Sequence, residues 1–129
     1  MFCILAADGN GYNENINPDD EGDNCFRTLG VAIESASQGK TILLSGTSYA
    51  TPIAVGIAAN VLDFARCNMG LGKNRWRKLA SYQGMRAVLC LMTPSGKNNS
   101  YLCPWQLENK GLKTNEQIAE AFRDAIDRK

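Results

Sequence analysis

The first run of apolar positions is short and unbroken. Phe2 through Ala7 carries no charged side chain, a pattern that predicts a short buried strand. Residues 8–24 are rich in Gly, Asn, Asp and Pro and predict a loop. Leu29, Val31, Ile33 and Ser35 then alternate with other residues, as in a half-buried strand over 29–36. Thr41 to Leu44 predicts another strand. Residues 48–66 are apolar around most of a helical circumference, from Ile53 to Ala65. A helix of that kind is expected to be buried on all sides. Gly56, Ala58 and Ala59 would let neighbours approach closely, although Gly56 costs about 1 kcal/mol of helix propensity.

The second half is less regular. Gly70 and Gly72 break the pattern before a short helix at Trp76 to Leu79. Met85 to Met92 fits a strand or part of a helix, and 93–100 a turn or loop. Tyr101 to Leu107 reads as a strand or irregular segment docked through Tyr101, Leu102 and Trp105. Thr114 and Gln117 form a capping box. After it Ile118, Ala121, Phe122, Ala125 and Ile126 recur at helical spacing. This predicts a terminal surface helix.

Composition narrows the choices. With 129 residues and 44% apolar positions, the chain can bury a core. The net charge of +1 excludes a general electrostatic argument for nucleic acid or membrane surfaces. Its distribution is uneven: residues 1–45 hold seven acidic and two basic side chains, and residues 46–129 hold six and twelve. The one basic cluster with an aromatic is Lys73, Arg75, Trp76, Arg77 and Lys78, which reads better as a solvated helix face than as a nucleic-acid footprint. No stretch is long enough to span a bilayer. Phe2 to Ala7 lacks the basic flank and the length of a signal peptide. An apolar strand directly after Met1 fits a chain that begins part-way through a fold.

Several motifs fail on spacing. Cysteines at 3, 25, 67, 90 and 103 match no zinc knuckle, and the chain has no histidine. An odd cysteine count favours thiols over a disulfide framework. A calcium loop starting at Asp8 needs Asp or Asn at 12 and Gly at 13, where Tyr12 and Asn13 stand. Gly39-Lys40-Thr41 resembles the end of a phosphate loop, but Glu34 occupies the position of its first glycine. Asn98-Asn99-Ser100 is a glycosylation acceptor only in a secreted chain.

One segment carries chemistry. Ser48 lies where the predicted strand 41–44 turns into the predicted helix. Helix starts collect unpaired N–H groups, and their dipoles favour negative charge. A serine there can attack a carbonyl while its own N–H faces the developing oxyanion. Pro52 cannot donate to the Ser48 carbonyl, which loosens the first turn. The plainer reading is that Thr47 or Ser48 is only a helix N-cap, and helix logic alone favours that one.

Gly46-Thr47-Ser48-Tyr49-Ala50-Thr51-Pro52, followed by Gly56, resembles the serine signature of the subtilisin-like protease family. The approach through Leu29-Gly30 and Ser45-Gly46 is similar as well. The resemblance implies an α/β fold, a fragment of the family's three-layer architecture with a mostly parallel sheet. It covers 1–107 as the C-terminal part of the catalytic domain, with 1–66 the more specific portion. Residues 67–107 resemble an extension of fungal relatives, and 108–129 form a C-terminal amphipathic helix region. Ile53 stands where the family often has histidine, at a structural position.

The resemblance implies a serine endopeptidase acting on peptide or protein substrates, with Ser48 the catalytic nucleophile. It implies no organic cofactor and no catalytic metal, and neither a nucleic-acid nor a membrane partner. The family's orienting aspartate, general-base histidine and oxyanion asparagine all precede the matched region. Asp8 and Asn10 lie too close to the serine to take those roles. Upstream sequence or a partner is needed to complete the triad. Without a base a serine hydroxyl is a poor nucleophile, so the chain alone is expected to be inactive. The alternative is a non-catalytic relic or interaction domain, for which Ser48 would be buried in a fold intact from residue 1.

Overall fold

A computed structural model describes residues 2–8, 25–31, 33–94 and 101–128. The calcium-like stretch from residue 9 to 24 and the glycosylation acceptor at 98–100 lie outside the described residues. The architecture is mixed α/β with a small parallel sheet.

Strands β1 (Cys3–Ala7) and β2 (Cys25–Leu29) run parallel, in register from Cys3 beside Cys25 to Ala7 beside Leu29. Tyr101 adds a parallel bridge at Arg27, fastened by the Leu102 N–H donating to the Arg27 carbonyl at 2.8 Å. Strands β3 (Ile33–Ser37) and β4 (Lys40–Leu44) form a separate antiparallel hairpin. Five helices follow: α1 (Thr47–Asn68), α2 (Lys73–Ala80), α3 (Tyr82–Leu91), the single turn α4 (Gln106–Asn109) and α5 (Asn115–Asp127).

The expected strand over 29–36 is instead the end of β2, a bend at Gly30 and Val31, and the start of β3. The alternation runs through that bend, which periodicity does not register. Strand β2 itself escaped the pattern because Arg27 interrupts its apolar run, yet Arg27 is buried. Gly39-Lys40-Thr41 is a hairpin corner. Gln38 and Gly39 have φ of 49° and 75°, the paired positive values of a two-residue hairpin turn that matches strand twist.

Residues 85–91 are helical, with Met92 the C-cap, because α3 begins at a tight corner with α2. The Ser81 hydroxyl donates to the Lys78 carbonyl at 2.6 Å and accepts from the Gly84 N–H at 3.2 Å. Gly84 lies so close beneath α2 that a β-carbon there would overlap the Lys78 carbonyl.

The core sits among α1, α2, α3 and α5, around Val61, Ala65, Leu79, Val88, Leu89 and Phe122. Phe64 and Phe122 stack edge to face at 5.6 Å. The predicted capping box of α5 is present, with Thr114 accepting from the Gln117 N–H and the Gln117 amide oxygen accepting from Thr114. Two cations close helix ends. Arg123 donates to the Met69 carbonyl beyond α1 at 2.9 Å, and Lys110 donates to Leu91 at the end of α3 at 2.7 Å. Both satisfy carbonyls that a helix leaves open.

Helix α1 departs from the all-round burial expected of it. Its buried residues are Ala50, Ala54, Val61 and Ala65, one stripe facing the strand pair and α5. On the other side Val55 is 62% exposed. The described elements cover one side of this helix. Of the three docking residues expected at 101–107, Tyr101 and Leu102 are buried, whereas Trp105 is exposed.

Candidate functional site around Ser48

Ser48 is the second residue of α1 and is exposed. The chain enters from β4 and turns sharply at Gly46, whose φ of 153° and ψ of 162° belong to a region essentially restricted to glycine. Gly46 is the N-cap and supplies no side-chain cap. Ser48 is therefore not the cap of this helix, and neither is Thr47. The Tyr49 and Ala50 N–H groups turn back to the Gly46 carbonyl at 3.1 and 3.4 Å. The Thr47 and Ser48 N–H groups bond to nothing among the described residues and emerge from the helix end.

Pro52 leaves the Ser48 carbonyl without its intrahelical donor. The adjacent Thr51 hydroxyl instead donates to the Thr47 carbonyl at 2.9 Å. The first turn of α1 is thus tied at Gly46 and Thr47 and open at Ser48. The Ser48 hydroxyl makes no hydrogen bond to a described residue, so it is available to an incoming group.

What holds this turn in place lies beneath it. Gly30, just past the end of β2, donates its N–H to the Ala7 carbonyl at 3.0 Å and accepts from the Gly46 N–H at 2.8 Å. A β-carbon at Gly30 would stand 2.6 Å from the Ala6 β-carbon, 3.0 Å from that of Ala50 and 3.0 Å from the Gly46 carbonyl oxygen. Thr28, 1% exposed, donates its hydroxyl to the Ala50 carbonyl at 2.6 Å. The start of α1 therefore rests on the C-terminal ends of two parallel strands, where α/β folds place ligands and reacting groups.

Thr28 and Gly30 seat the start of α1. The sequence pointed to Gly30 only through the resemblance at Leu29-Gly30, and a threonine within a strand carries no signal of its own. Ala50 is fully buried beneath the site.

Asp8 closes β1, where its charge raises the Tyr101 phenol after the larger effects of burial and of Cys103. Asn10 lies outside the described residues. Among the described residues no group of three or more Cys, Asp or Glu side chains could hold a metal ion. No described helix is long and apolar enough to cross a membrane. Lys73, Arg75, Arg77 and Lys78 are exposed on α2, while Trp76 packs against the core as an anchor.

No family model, curated protein or solved structure matches this chain.

Proposed function

We propose that this chain is the serine-bearing part of a subtilisin-like endopeptidase, with Ser48 the nucleophile. The observation that carries the reading is the exposed Ser48 hydroxyl at an uncapped helix start, seated on the ends of the parallel strands through Gly30. The Gly-Thr-Ser signature supports it. So does the geometry of Gly46, which removes the plainer N-cap role for the hydroxyl.

In this reading the Ser48 oxygen attacks a peptide carbonyl carbon while a base removes its proton. The carbonyl oxygen becomes an oxyanion facing the Ser48 N–H, and the helix dipole favours that charge. Collapse breaks the carbon–nitrogen bond, the amine leaves with a proton, and water hydrolyses the acyl-enzyme. The chain contains no histidine, so the base and its orienting carboxylate come from outside these residues. In subtilisin, loss of the serine or histidine costs about 10⁶-fold in turnover. The chain alone is accordingly inactive.

The finer fold proposal is a portion of a three-layer α/β body. Leu43 at 64% exposure and Val55 at 62% are apolar positions that such a body would cover. The competing relic reading expects a buried Ser48, and its exposure favours the enzyme.

The test is a chimera in which this chain follows the aspartate- and histidine-bearing part of a subtilisin-like protease. A fluorophosphonate probe is expected to label Ser48 in the chimera. No labelling above a Ser48→Ala control is expected for the 129 residues alone. A folded, soluble chimera labelled no more than its Ser48→Ala counterpart would defeat the proposal.

A further inference from the structure

Cys3 and Cys25 stand directly opposite each other at the N-terminal ends of β1 and β2. Side chains paired in a parallel ladder project to the same face, and successive residues alternate between faces. Phe26 and Thr28 point toward α1, the first into the core with Ala54 and the second onto the Ala50 carbonyl. Cys3 and Cys25 therefore share the opposite face of the strand pair. Neighbouring strands lie about 4.8 Å apart, within the Cα separation of about 4.4–6.8 Å that a disulfide spans. Both residues are half-buried thiols in the structure.

The other cysteines are placed differently. Cys67 is exposed near the end of α1, Cys90 is exposed on α3, and Cys103 is buried beside Ala7 and Tyr101. None faces another cysteine across a described strand pair.

We infer that Cys3 and Cys25 form a dithiol site that closes to a disulfide on reaction with a small disulfide oxidant. The thiolate of one cysteine attacks the oxidant, forming a mixed disulfide and releasing one small thiol. The thiolate of the second attacks the protein sulfur of that mixed disulfide and releases the second small thiol. Two protein S–H bonds are lost and one S–S bond forms. The two electrons and two protons end on the two released thiols. Closure joins the two strands at the end remote from Gly30, so the site stands apart from the Ser48 reading.

The sequence provides the means to read it. Cleavage after Glu14 and Glu21 places Cys3 and Cys25 on different peptides. The full chain is incubated with oxidised glutathione in native buffer, quenched in acid, and digested without reduction. Mass spectrometry is expected to find the Cys3 and Cys25 peptides joined, with Cys67 and Cys90 carrying glutathione. Recovery of Cys3 and Cys25 only as thiols or separate glutathione adducts would overturn the inference. So would an equal yield of the joined peptide in guanidinium, since proximity along the chain would then account for it. Cross-linking the chain ends of this loop is expected to raise the thermal midpoint by roughly 10 °C, and a Cys25→Ser chain is expected to show no rise on oxidation. An unchanged midpoint in the fully joined protein would refute the assigned strand register.

Discussion

Gly30→Ala adds a single methyl group at the point where β1, β2 and the start of α1 converge. The new carbon would lie 2.6 Å from the Ala6 β-carbon, against an optimum of about 3.5–4.0 Å. Roughly 1 Å must be recovered by movement of main chain, because Ala6 and Ala50 are fully buried and have no flexible side chain to displace. Forcing a methyl group into packed surroundings costs about 1–3 kcal/mol. Gly30 itself has no positive φ, so the penalty is one of packing rather than of backbone conformation. Urea unfolding followed by far-ultraviolet circular dichroism should show a midpoint about 1 M lower, at a slope of about 1–3 kcal/mol/M. Ala6→Gly removes the atom of closest approach. Although destabilising alone, it should rescue part of the Gly30→Ala loss, with a coupling energy of about 0.5–3 kcal/mol. Strict additivity of the two changes, or a Gly30→Ala chain within about 0.5 kcal/mol of the parent, would refute this account of the junction. In the proposed enzyme a displacement of about 1 Å at Ser48 is expected to cost about 100-fold in rate.

Other elements give independent checks. Gly84→Ala would drive a β-carbon into the Lys78 carbonyl, and a loss of about 3 kcal/mol or more is expected in the same urea assay. Thr114→Ala removes one half of the capping box of α5 and should cost about 1 kcal/mol, whereas Thr114→Ser should retain most of the stability. Burial holds the Tyr101 phenol above its ordinary 10.0, with the Cys103 and Asp8 charges adding to it, and burial holds the Cys103 thiol above 9.0. Both groups keep their protons more tightly when folded, so their contribution is complete below the unfolded values and is lost as pH rises through the folded ones. The urea midpoint should fall as pH climbs above about 9, and less steeply in a Tyr101→Phe, Cys103→Ala chain; an unchanged midpoint across that range would contradict the assigned burial.

Local order was written plainly in several places, the strand at 41–44 and the short helix at 76–79 among them. The apolar run before Ala7 became β1, the long small-residue stretch became α1, and Thr114 with Gln117 opened α5 as a capping box. These features depend on neighbours within a turn or two, which the order of residues specifies directly. Tertiary structure decided the rest. Strand β2 exists because Cys25 to Leu29 finds β1 as a parallel partner, and Arg27 at its centre conceals it from any apolar pattern. Residues 85–91 became helical through a corner at Ser81 and Gly84 that fits only against α2. Helix α1 is covered along one stripe because burial depends on which bodies stand beside it, and apolar periodicity names the faces without naming their partners. The support of Ser48 through Gly30 and Thr28 is likewise a contact between residues far apart in the chain, created only when the strand ends and the helix start are brought together.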